Sequence, residues 1–333
     1  MSAHSIIRPG RDSDAGGFIA LIGTCWAQYP GVHLDVDGEE PELRTLATYY
    51  AEQGGALWAA EAGGAVVGMI ATRKLGDTGA WEICRVYVHP ARHGDGLGHR
   101  LLDTAEAYAI AAGATRLKLW SDTRFDRAHR FYEKRSYVRS GPIRVLADAC
   151  HSLEFAYAKP VNGVEVLDAA AAASAEPLLC AILTTCVAEG AGVSFLPPLA
   201  PDTASAFWRR IAKDVAAGRR VLLAAWAEGV LSGTVTLAFA SAENQPHRAE
   251  VEKLLVHPDA RRHGLARVLM QRLEAEALRA GRKLVTLDTR AGDRAEWLYR
   301  STGWQEVGRI PGFALLADGT PDATVFFWKR LTG

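Results

Sequence analysis

The sequence predicts an α+β fold, an α/β/α sandwich present twice in tandem, in which each domain has a mixed, mostly antiparallel twisted sheet flanked by helices. Three observations predict it. The chain has 333 residues, which is long for one domain and suits two. It repeats one strand-and-loop phrase far apart in the chain. In each copy, strand patterns stand on both sides of a long amphipathic helix.

The repeat is plainest in two short phrases. Residues 86–92 read VYVHPAR and residues 254–261 read LLVHPDAR, which places Val88 and Val256 at an offset of 256 − 88 = 168. Later matches slip by one or two positions, as length changes in loops would produce. The copies join near KPVNG at 159–163, a stretch with turn chemistry, and this predicts domains at 1–160 and 161–333.

The apolar stretch 221–240 is the one segment long enough to suggest a membrane span. Glu228 and Gly229 interrupt it at its middle, which favours two hairpin strands instead. Asp168 is a candidate N-cap for an Ala-rich helical region, and Gly281 fits the residue after a helix. The other patterns of the second copy predict strands at 164–167, 249–256 and 284–287, helices at 203–217, 264–280 and 293–301, and a last hairpin ending at Lys329. Those of the first copy predict strands at 57–61, 66–71, 81–88 and 117–120 and helices at 98–112 and 127–135.

Charge and cysteine usage exclude several classes of protein. Lys+Arg and Asp+Glu both number 38, so the chain lacks the basic excess of a nucleic-acid binder. Five scattered cysteines without CxxC spacing predict reduced thiols in a cytoplasmic protein. Residues 1–9 have no basic segment followed by an apolar core, so we expect no signal peptide and no membrane partner. The histidines have no carboxylate or Cys at ligand spacing, so we expect no metal.

A loop between a strand and a long helix predicts an anion site in the second copy. The run 261–266, RRHGLA, places two arginines beside a helix N-terminus, where unpaired N–H groups and the helix dipole favour a phosphate. Gly264 allows the backbone to approach a phosphate closely, and Ala266 keeps the first turn uncrowded. The first copy has glycines at 94, 96 and 98, and neither copy has the spacing of a Walker or dinucleotide loop.

This motif resembles the GNAT superfamily of acyl-CoA N-acetyltransferases. The pattern V-x-P-x-x-R-x-x-G-x-A follows a Glu-bearing strand and precedes a Tyr-bearing helix, and its context occurs twice, so the resemblance covers essentially the whole chain as two domains. The second copy resembles the tabtoxin-resistance-type acetyltransferases in NQPHRAE at 244–250 and LDTR at 287–290. The two-domain architecture is similar to that of mycothiol synthase.

The resemblance implies that acetyl-CoA is the co-substrate and lies between two splayed parallel strands, 249–256 and 284–287. Its pantetheine would extend along the strand edge, and a backbone N–H near 254–256 would hold the thioester oxygen. The implied binding residues of the second copy are Leu254, Leu255, Val256, Arg261, Arg262, His263, Gly264, Leu265, Ala266 and Arg267. Those of the first copy are Val86, Tyr87, Val88, His93, Gly94, Asp95, Gly96, Leu97 and Gly98.

The resemblance also implies an acid/base set of Glu250, Asp288 and Tyr299, in which a carboxylate takes the amine proton and the tyrosine protonates the leaving thiolate. Structural roles remain as alternatives: a solvated strand-end carboxylate for Glu250, a turn cap for Asp288 and a core aromatic for Tyr299. The first-copy equivalents are Glu82, Asp122 and Tyr132.

His93 stands where the signature has Arg or Gln, so the intact signature favours the second copy as the active one. We therefore expect an N-acetyltransferase that acts on a primary amine of a small molecule, as a monomer or weak dimer. Two alternatives remain open: the first copy or both copies are active, the other being a CoA-binding scaffold, or the protein is a non-catalytic acyl-CoA sensor. The acidic run 35–42 of the first copy could attract a cationic amine or be a solvated loop, and the apolar run 193–199 of the second could line a pocket.

Overall fold

The chain folds into two compact units. A computed structural model describes residues 5–332, so the N-terminal stretch expected to lack a signal peptide lies partly outside the described residues, at 1–4. The first unit comprises the chain up to Tyr132 together with Arg139–Val161, and the second comprises Glu133–Val138 and the chain from Asn162 onward. Nothing in the sequence indicates that the short segment 133–138 belongs to the second unit. The domain bounds 1–160 and 161–333 stay a prediction.

The first half of the chain forms a mixed sheet with helices packed against it. Its strands are β1 (Ile6–Pro9), β2 (Ala56–Ala62), β3 (Ala65–Leu75), β4 (Ala80–Val88), β5 (Arg116–Asp122), β6 (Val138–Arg139), β7 (Arg144–Val145) and β8 (Leu153–Pro160). Its α-helices are α1 (Ala15–Trp26), α2 (Leu46–Glu52), α3 (Leu97–Ala111) and α4 (Asp126–Lys134). The strand order is β1-β2-β3-β4-β5-β8-β6, with β7 on β8, and β4 and β5 run parallel.

The second half repeats this plan. Its strands are β9 (Gly163–Leu167), β10 (Arg220–Ala227), β11 (Val230–Phe239), β12 (Arg248–Val256), β13 (Leu284–Arg290), β14 (Gln305–Leu315) and β15 (Pro321–Arg330). Its helices are α5 (Ala169–Ser174), α6 (Glu176–Ala188), α7 (Pro201–Ala216), α8 (Leu265–Arg279) and α9 (Arg294–Ser301). The order is β14-β15-β13-β12-β11-β10-β9, and among these described strands the pair β12–β13 is parallel while the others are antiparallel. The predicted α+β fold is confirmed.

The central strands of the second unit bury both faces. Leu222, Ala224 and Trp226 of β10 pack with helices α5, α6 and α7, whereas the alternating Leu223 and Ala225 pack with α8. This period of two is the geometry of an extended strand between two layers, so it makes the unit a three-layer sandwich. It also explains why the sequence of β10 reads as continuously apolar.

The 221–240 stretch is a hairpin, as predicted. Ala227 pairs with Val230, and the two residues between them, Glu228 and Gly229, have φ angles of 51° and 73°. Two left-handed residues form the tight turn that suits the twist of paired strands. Within residues 5–332, no helix combines the length and the apolar character that crossing a bilayer requires. The five cysteines are free thiols, as expected.

Segment 133–138 is held in the second unit by this hairpin. The indole N–H of the fully buried Trp226 donates to the carbonyl of Ser136 at 3.0 Å, and the Ser136 hydroxyl accepts from the Leu231 N–H at 3.0 Å. Val138 joins the same apolar cluster as helices α5–α7. These contacts satisfy polar groups that would otherwise be buried without partners, which is why the segment belongs to this unit.

Helix α8 provides a matched test of this packing. Leu269 is completely buried against the sheet, while its neighbour Val268 is 45% exposed. We expect Leu269→Ala to lower the free energy of unfolding by about 3 kcal/mol, because it removes buried methyl groups and leaves a cavity. Val268→Ala should change it by less than about 0.5 kcal/mol. Urea unfolding of the full chain measures both, and equal effects of the two substitutions would contradict the layer assignment.

Candidate active site

A cleft of about 1460 Å³ opens in the second unit where strands β12 and β13 separate. Their ladder holds three residue pairs, from Arg248–Leu284 to Glu250–Thr286, and then ends while both strands continue. Glu250, Asp288 and Tyr299 all line this cleft, and so do the predicted cofactor residues apart from His263, which is exposed beside it. The structure therefore brings together the residues that the sequence singled out in this copy.

A β-bulge in β12 marks the point of separation. Thr236 of β11 faces Glu252 and Thr234 faces Leu255, so two residues of β12 lie opposite Val235. At this bulge Lys253 has a left-handed φ of 55°. Because a bulge leaves its extra residue out of the ladder, a backbone N–H here is free to face a ligand. This is the stretch expected to hold a thioester oxygen.

The loop after β12 has the geometry of an anion cradle. Gly264, with φ of 79°, precedes helix α8, and Arg262 before it also has a left-handed φ of 71°. The first N–H groups of α8, at Leu265 and Ala266, have no acceptor among the described residues, as is normal for a first turn. Arg262 is exposed and forms no hydrogen bond or ion pair with any described residue. Unpaired N–H groups, the helix dipole and one uncommitted guanidinium therefore meet at one place.

Arg261 has a different role from the one expected. Its Nε donates to the carbonyl of Val256 at 3.1 Å, and its Nη1 lies 2.6 Å from a carboxylate oxygen of Glu189. Its charge is thus paired within the protein. Arg261 holds the end of β12 and the loop in position, and Arg262 is the cation available to a phosphate.

Glu250 has the environment of a general base. Its carboxylate is half-buried in the cleft and forms no hydrogen bond or ion pair with a described residue. Burial raises its pKa, and the nearby charges of Glu252 and Asp288 act in the same direction. A carboxylate with a raised pKa is a stronger base than a solvated one, so it can take a proton from an amine.

Asp288 and Tyr299 lie across the cleft from β12. The Asp288 side chain is exposed to the cleft without an ion-pair partner among the described residues, and desolvation raises its pKa. It does not cap the turn that follows. Tyr299 is 5% exposed and packs on Trp304 and Phe327, but its hydroxyl has no hydrogen bond to a described residue. Burial raises the pKa of Tyr299, which therefore keeps its proton until a stronger base takes it.

The equivalent carboxylates of the first unit are committed to internal partners. Glu82 is buried and ion-paired with Arg73 at 2.6 Å. Asp122 accepts from the N–H of Arg124 at 2.8 Å and is ion-paired with the same residue's guanidinium. Tyr132 is 6% exposed and packed among aromatic rings. Strands β4 and β5 separate after three residue pairs, as β12 and β13 do. The two units therefore share this backbone arrangement and differ in which side chains are paired within the protein.

The first-unit cradle is filled by a side chain of its own. Asp95 accepts from the N–H of Leu97, the first residue of α3, at 2.9 Å, and from Arg92 at 2.7 Å. Although partial burial acts to raise the pKa of Asp95, the hydrogen bonds from Leu97 and Arg92 keep it below its usual range. A carboxylate thus stands where the second unit has His263 and open N–H groups (263 − 168 = 95). Gly96 keeps the loop shape with a φ of 81°.

The remaining predicted residues of the first unit follow the same backbone. His93 contacts the carbonyl of Val88 at 3.0 Å, as Arg261 contacts that of Val256, so the histidine replaces the arginine as a brace. Tyr87 accepts a hydrogen bond from Trp26 at 3.1 Å. Val86 lies in the bulge of β4 beside Arg85, Gly94 has a φ of 88°, and Gly98 follows Leu97 in the first turn of α3.

The acidic run of the first unit is paired rather than open to a ligand. Arg85, at the bulge of β4, forms ion pairs with Glu40 and with Glu42, the latter at 2.8 Å. Asp35 accepts from backbone N–H groups within its own loop, and Asp37 is paired with Arg44. The expectation that these carboxylates attract a cationic amine receives no support from this geometry.

Sequence reasoning missed Lys253. This residue lies at the bulge inside the cleft, with its ammonium nitrogen 6.0 Å from the ring centre of Phe195 and 5.7 Å from that of Phe207. A signal was available, because the repeat offset places Lys253 on Arg85 (253 − 168 = 85), so both copies carry a cation at this point of an otherwise apolar strand end.

Comparison with known proteins agrees with the two copies. The model of the acetyltransferase (GNAT) family matches residues 21–137 and again 193–304. An uncharacterized N-acetyltransferase encoded in the hisH-hisA intergenic region of Azospirillum brasilense is 29% identical over 152 residues, covering 44% of this chain and 89% of that protein. The resemblance to tabtoxin-resistance-type enzymes stays a prediction.

Two solved structures are similar to about half of this chain. One is yncA, a putative acetyltransferase from Salmonella typhimurium solved with acetyl-CoA, at 19% identity and a TM-score of 0.44, covering 52% of this chain and 95% of that one. The other is a ribosomal-protein-alanine N-acetyltransferase from Brucella melitensis, at 23% identity and a TM-score of 0.43, covering 50% and 99%.

Removal of the Asp95 carboxylate from the first-unit cradle should measurably lower the stability of the protein. We expect Asp95→Ala to lower the free energy of unfolding by about 1 kcal/mol, because the α3 N-terminus loses its cap. His263→Ala, at the equivalent position without a cap bond, should have almost no effect. Since the folded-state pKa of Asp95 is lowered, its contribution is present above the unfolded pKa and is lost as the pH falls through the folded pKa. Chemical unfolding at neutral and acid pH tests this, and an equal loss in His263→Ala would contradict it.

Proposed function

The chain belongs to the GNAT family of acetyltransferases, which use acetyl-CoA as co-substrate, and on this premise we propose that its second unit transfers the acetyl group to a primary amine of a small molecule. One observation carries the proposal. The second unit leaves the Leu265 N–H, Glu250 and Asp288 without partners among the described residues, whereas the first unit pairs the Leu97 N–H, Glu82 and Asp122 within the protein. The second unit also has the unpaired Arg262 where the first has Gly94.

In this proposal the co-substrate enters the separation between β12 and β13. Its pyrophosphate binds the first N–H groups of α8 and Arg262, because a doubly charged anion suits that dipole and that cation. Its pantetheine arm extends along the exposed edge of β12 by backbone hydrogen bonds. The thioester oxygen then lies at the bulge, where an unpaired N–H stabilises negative charge as it develops.

The chemistry needs one base and one acid. Glu250 takes a proton from the ammonium group of the acceptor, directly or through a water molecule, and the free amine attacks the thioester carbon. The new C–N bond forms, the C–S bond breaks, and the sulfur leaves with the electron pair of that bond. The attacking nitrogen then sheds the second proton that the amide cannot keep. Tyr299 donates its proton to the leaving sulfur and is reprotonated, through water, by the proton from the nitrogen, while Glu250 releases the first proton to solvent. Asp288 supports the positive charge of the incoming ammonium.

The first unit acts in this proposal as a scaffold without turnover. Asp95 supplies the negative charge at its cradle that a pyrophosphate would otherwise provide, and Arg73 holds the carboxylate of Glu82. Both interactions oppose a reaction in this unit, because a bound anion would have to displace Asp95 and a base would have to leave its ion pair.

Two glycines test which unit is active. Gly264 and Gly96 have similar left-handed φ angles, 79° and 81°, and a Cβ at either would meet nothing within 4 Å. Replacement by Ala therefore costs about 1–2 kcal/mol of backbone strain at both positions. We expect Gly264→Ala to raise the KM for acetyl-CoA about tenfold and Gly96→Ala to leave it unchanged. The measurement is thiol release with an amine panel, and loss of turnover in Gly96→Ala alone would reverse the assignment.

The base is tested by Glu250→Gln. We expect kcat/KM to fall at least about 100-fold, because the amine loses its proton acceptor. In the native protein, the slope of log kcat/KM against pH should steepen in the acid range, beginning above the ordinary Glu pKa, since the pKa of Glu250 is raised and the base is protonated below it. The variant should lose this steeper limb. Glu243→Gln, at an exposed loop position, is the control, and an unchanged rate in Glu250→Gln would exclude the residue as base.

A further inference from the structure

Lys253 is a cation of the cleft that acetyl transfer itself does not require. It lies at the bulge with a φ of 55°, a backbone conformation that costs a side-chain-bearing residue energy. Its ammonium group is 3.3 Å from the Ser194 hydroxyl, 6.0 Å from the ring centre of Phe195 and 5.7 Å from that of Phe207. It forms no ion pair with any described residue.

The first unit shows what this position binds when the protein completes it. Arg85 has nearly the same φ, 53°, and is buried against two carboxylates, Glu40 and Glu42. Those carboxylates come from the loop between α1 and α2. The matching loop of the second unit, between α6 and α7, has one acidic residue, Glu189, which is ion-paired with Arg261. The rest of the loop, 190–200, reads GAGVSFLPPLA. The cation is therefore kept and its counter-charges are missing.

A second cation adds to the same wall of the cleft. The Arg210 guanidinium lies 5.4 Å from the ring centre of Phe207 and is without an ion-pair partner among the described residues. Burial lowers the pKa of Lys253, while the charges of Glu252, Asp288 and Glu250, none of which is ion-paired with it, act to raise it. An ammonium group held among aromatic rings without a contacting anion is costly, and a bound anion removes that cost.

The carboxylates and the cations that line the cleft together indicate which kind of ligand would fit it. Glu250 and Asp288 offer carboxylates to an ammonium group, and Lys253 and Arg210 offer cations to an anionic group, in one cleft. We propose that the acceptor is an amino acid whose carboxylate binds Lys253 while its amine faces Glu250. This inference rests on the proposed function, since it assigns the acceptor class of that same site.

The test compares L-amino acids with their carboxamides, which keep the side chain and the α-amine but lack the negative charge. A panel of leucine, methionine, phenylalanine, glutamine and arginine, each with its amide, covers the side-chain classes. The amide's amine loses its proton more easily, so intrinsic reactivity favours the amide. We expect the protein to reverse this order, with kcat/KM at least about tenfold higher for the acid of the preferred side chain.

Substitutions then test whether Lys253 causes the preference for the acid over the amide. In Lys253→Met the ratio of acid to amide kcat/KM should fall to about one or below, mainly through KM, and Lys253→Arg should retain most of it. Arg262→Met is the matched control: it removes a cation from the same cleft, so it should raise the KM for acetyl-CoA but leave the acid-to-amide ratio as in the native protein. An equal loss of the ratio in Arg262→Met would indicate general electrostatics and overturn the assignment to Lys253.

A binding measurement separates this inference from the proposed function. Calorimetric titration with N-acetyl amino acids and N-acetyl amino amides, in the presence of CoA, needs no turnover. Tighter binding of the acids that is lost in Lys253→Met supports carboxylate recognition even if no amine is acetylated, and in that case acetyl transfer by this unit is the part that fails. Acetylation of the amides at equal or higher kcat/KM, with no acid preference in binding, overturns the inference and leaves the proposed function standing.

Discussion

The early end of the β12–β13 ladder is the constraint on which the site depends. Two parallel strands that pair for three residues and then separate leave backbone groups of a central strand without protein partners. Beyond the last β12–β13 pair, the bulge at Lys253 shifts the register of β12 against β11 on its other side. Glu250 sits at the last pair, Asp288 just beyond it on β13, and the α8 N-terminus at the open end. One break in a sheet thus positions the proposed base, the proposed oxyanion donor and the proposed anion cradle.

Both units keep this early end of the parallel ladder, but they differ in how the polar groups around it find partners. Buried or partly buried polar groups need partners, which either the protein or a ligand supplies. The first unit supplies them with internal ion pairs and a carboxylate at the helix terminus, and the second leaves them to the ligand. The equivalent positions are Glu82 and Glu250, Arg85 and Lys253, Asp95 and His263, and Asp122 and Asp288. The duplication thus allows a direct comparison, because the same backbone arrangement has its polar groups paired in the first unit and unpaired in the second.

The sequence predicted the elements well because hydrophobic periodicity is a local property. The alternation in 221–240 and the Glu228-Gly229 break lead directly to a hairpin, and Gly264 and Gly281 bracket α8. Pairing between distant residues has no such local signal. That Arg73 neutralises Glu82 depends on the register of β3 against β4, and that Glu40 and Glu42 reach Arg85 depends on a loop path. The role of Arg261 as a brace was missed for the same reason.

The difference between the units follows from the conflict between stability and binding. Each charge in the second cleft that lacks a contacting partner lowers the stability of the protein without ligand, because it is partly desolvated and forms no ion pair with a described residue. Internal partners at Arg85 and Asp95 remove that cost in the first unit and, by the same contacts, occupy groups that an anion would otherwise contact. A site cannot have both properties at one position. In the proposed function, the residues that stabilise the first unit at its strand separation are therefore the ones whose absence leaves the second unit open to a ligand.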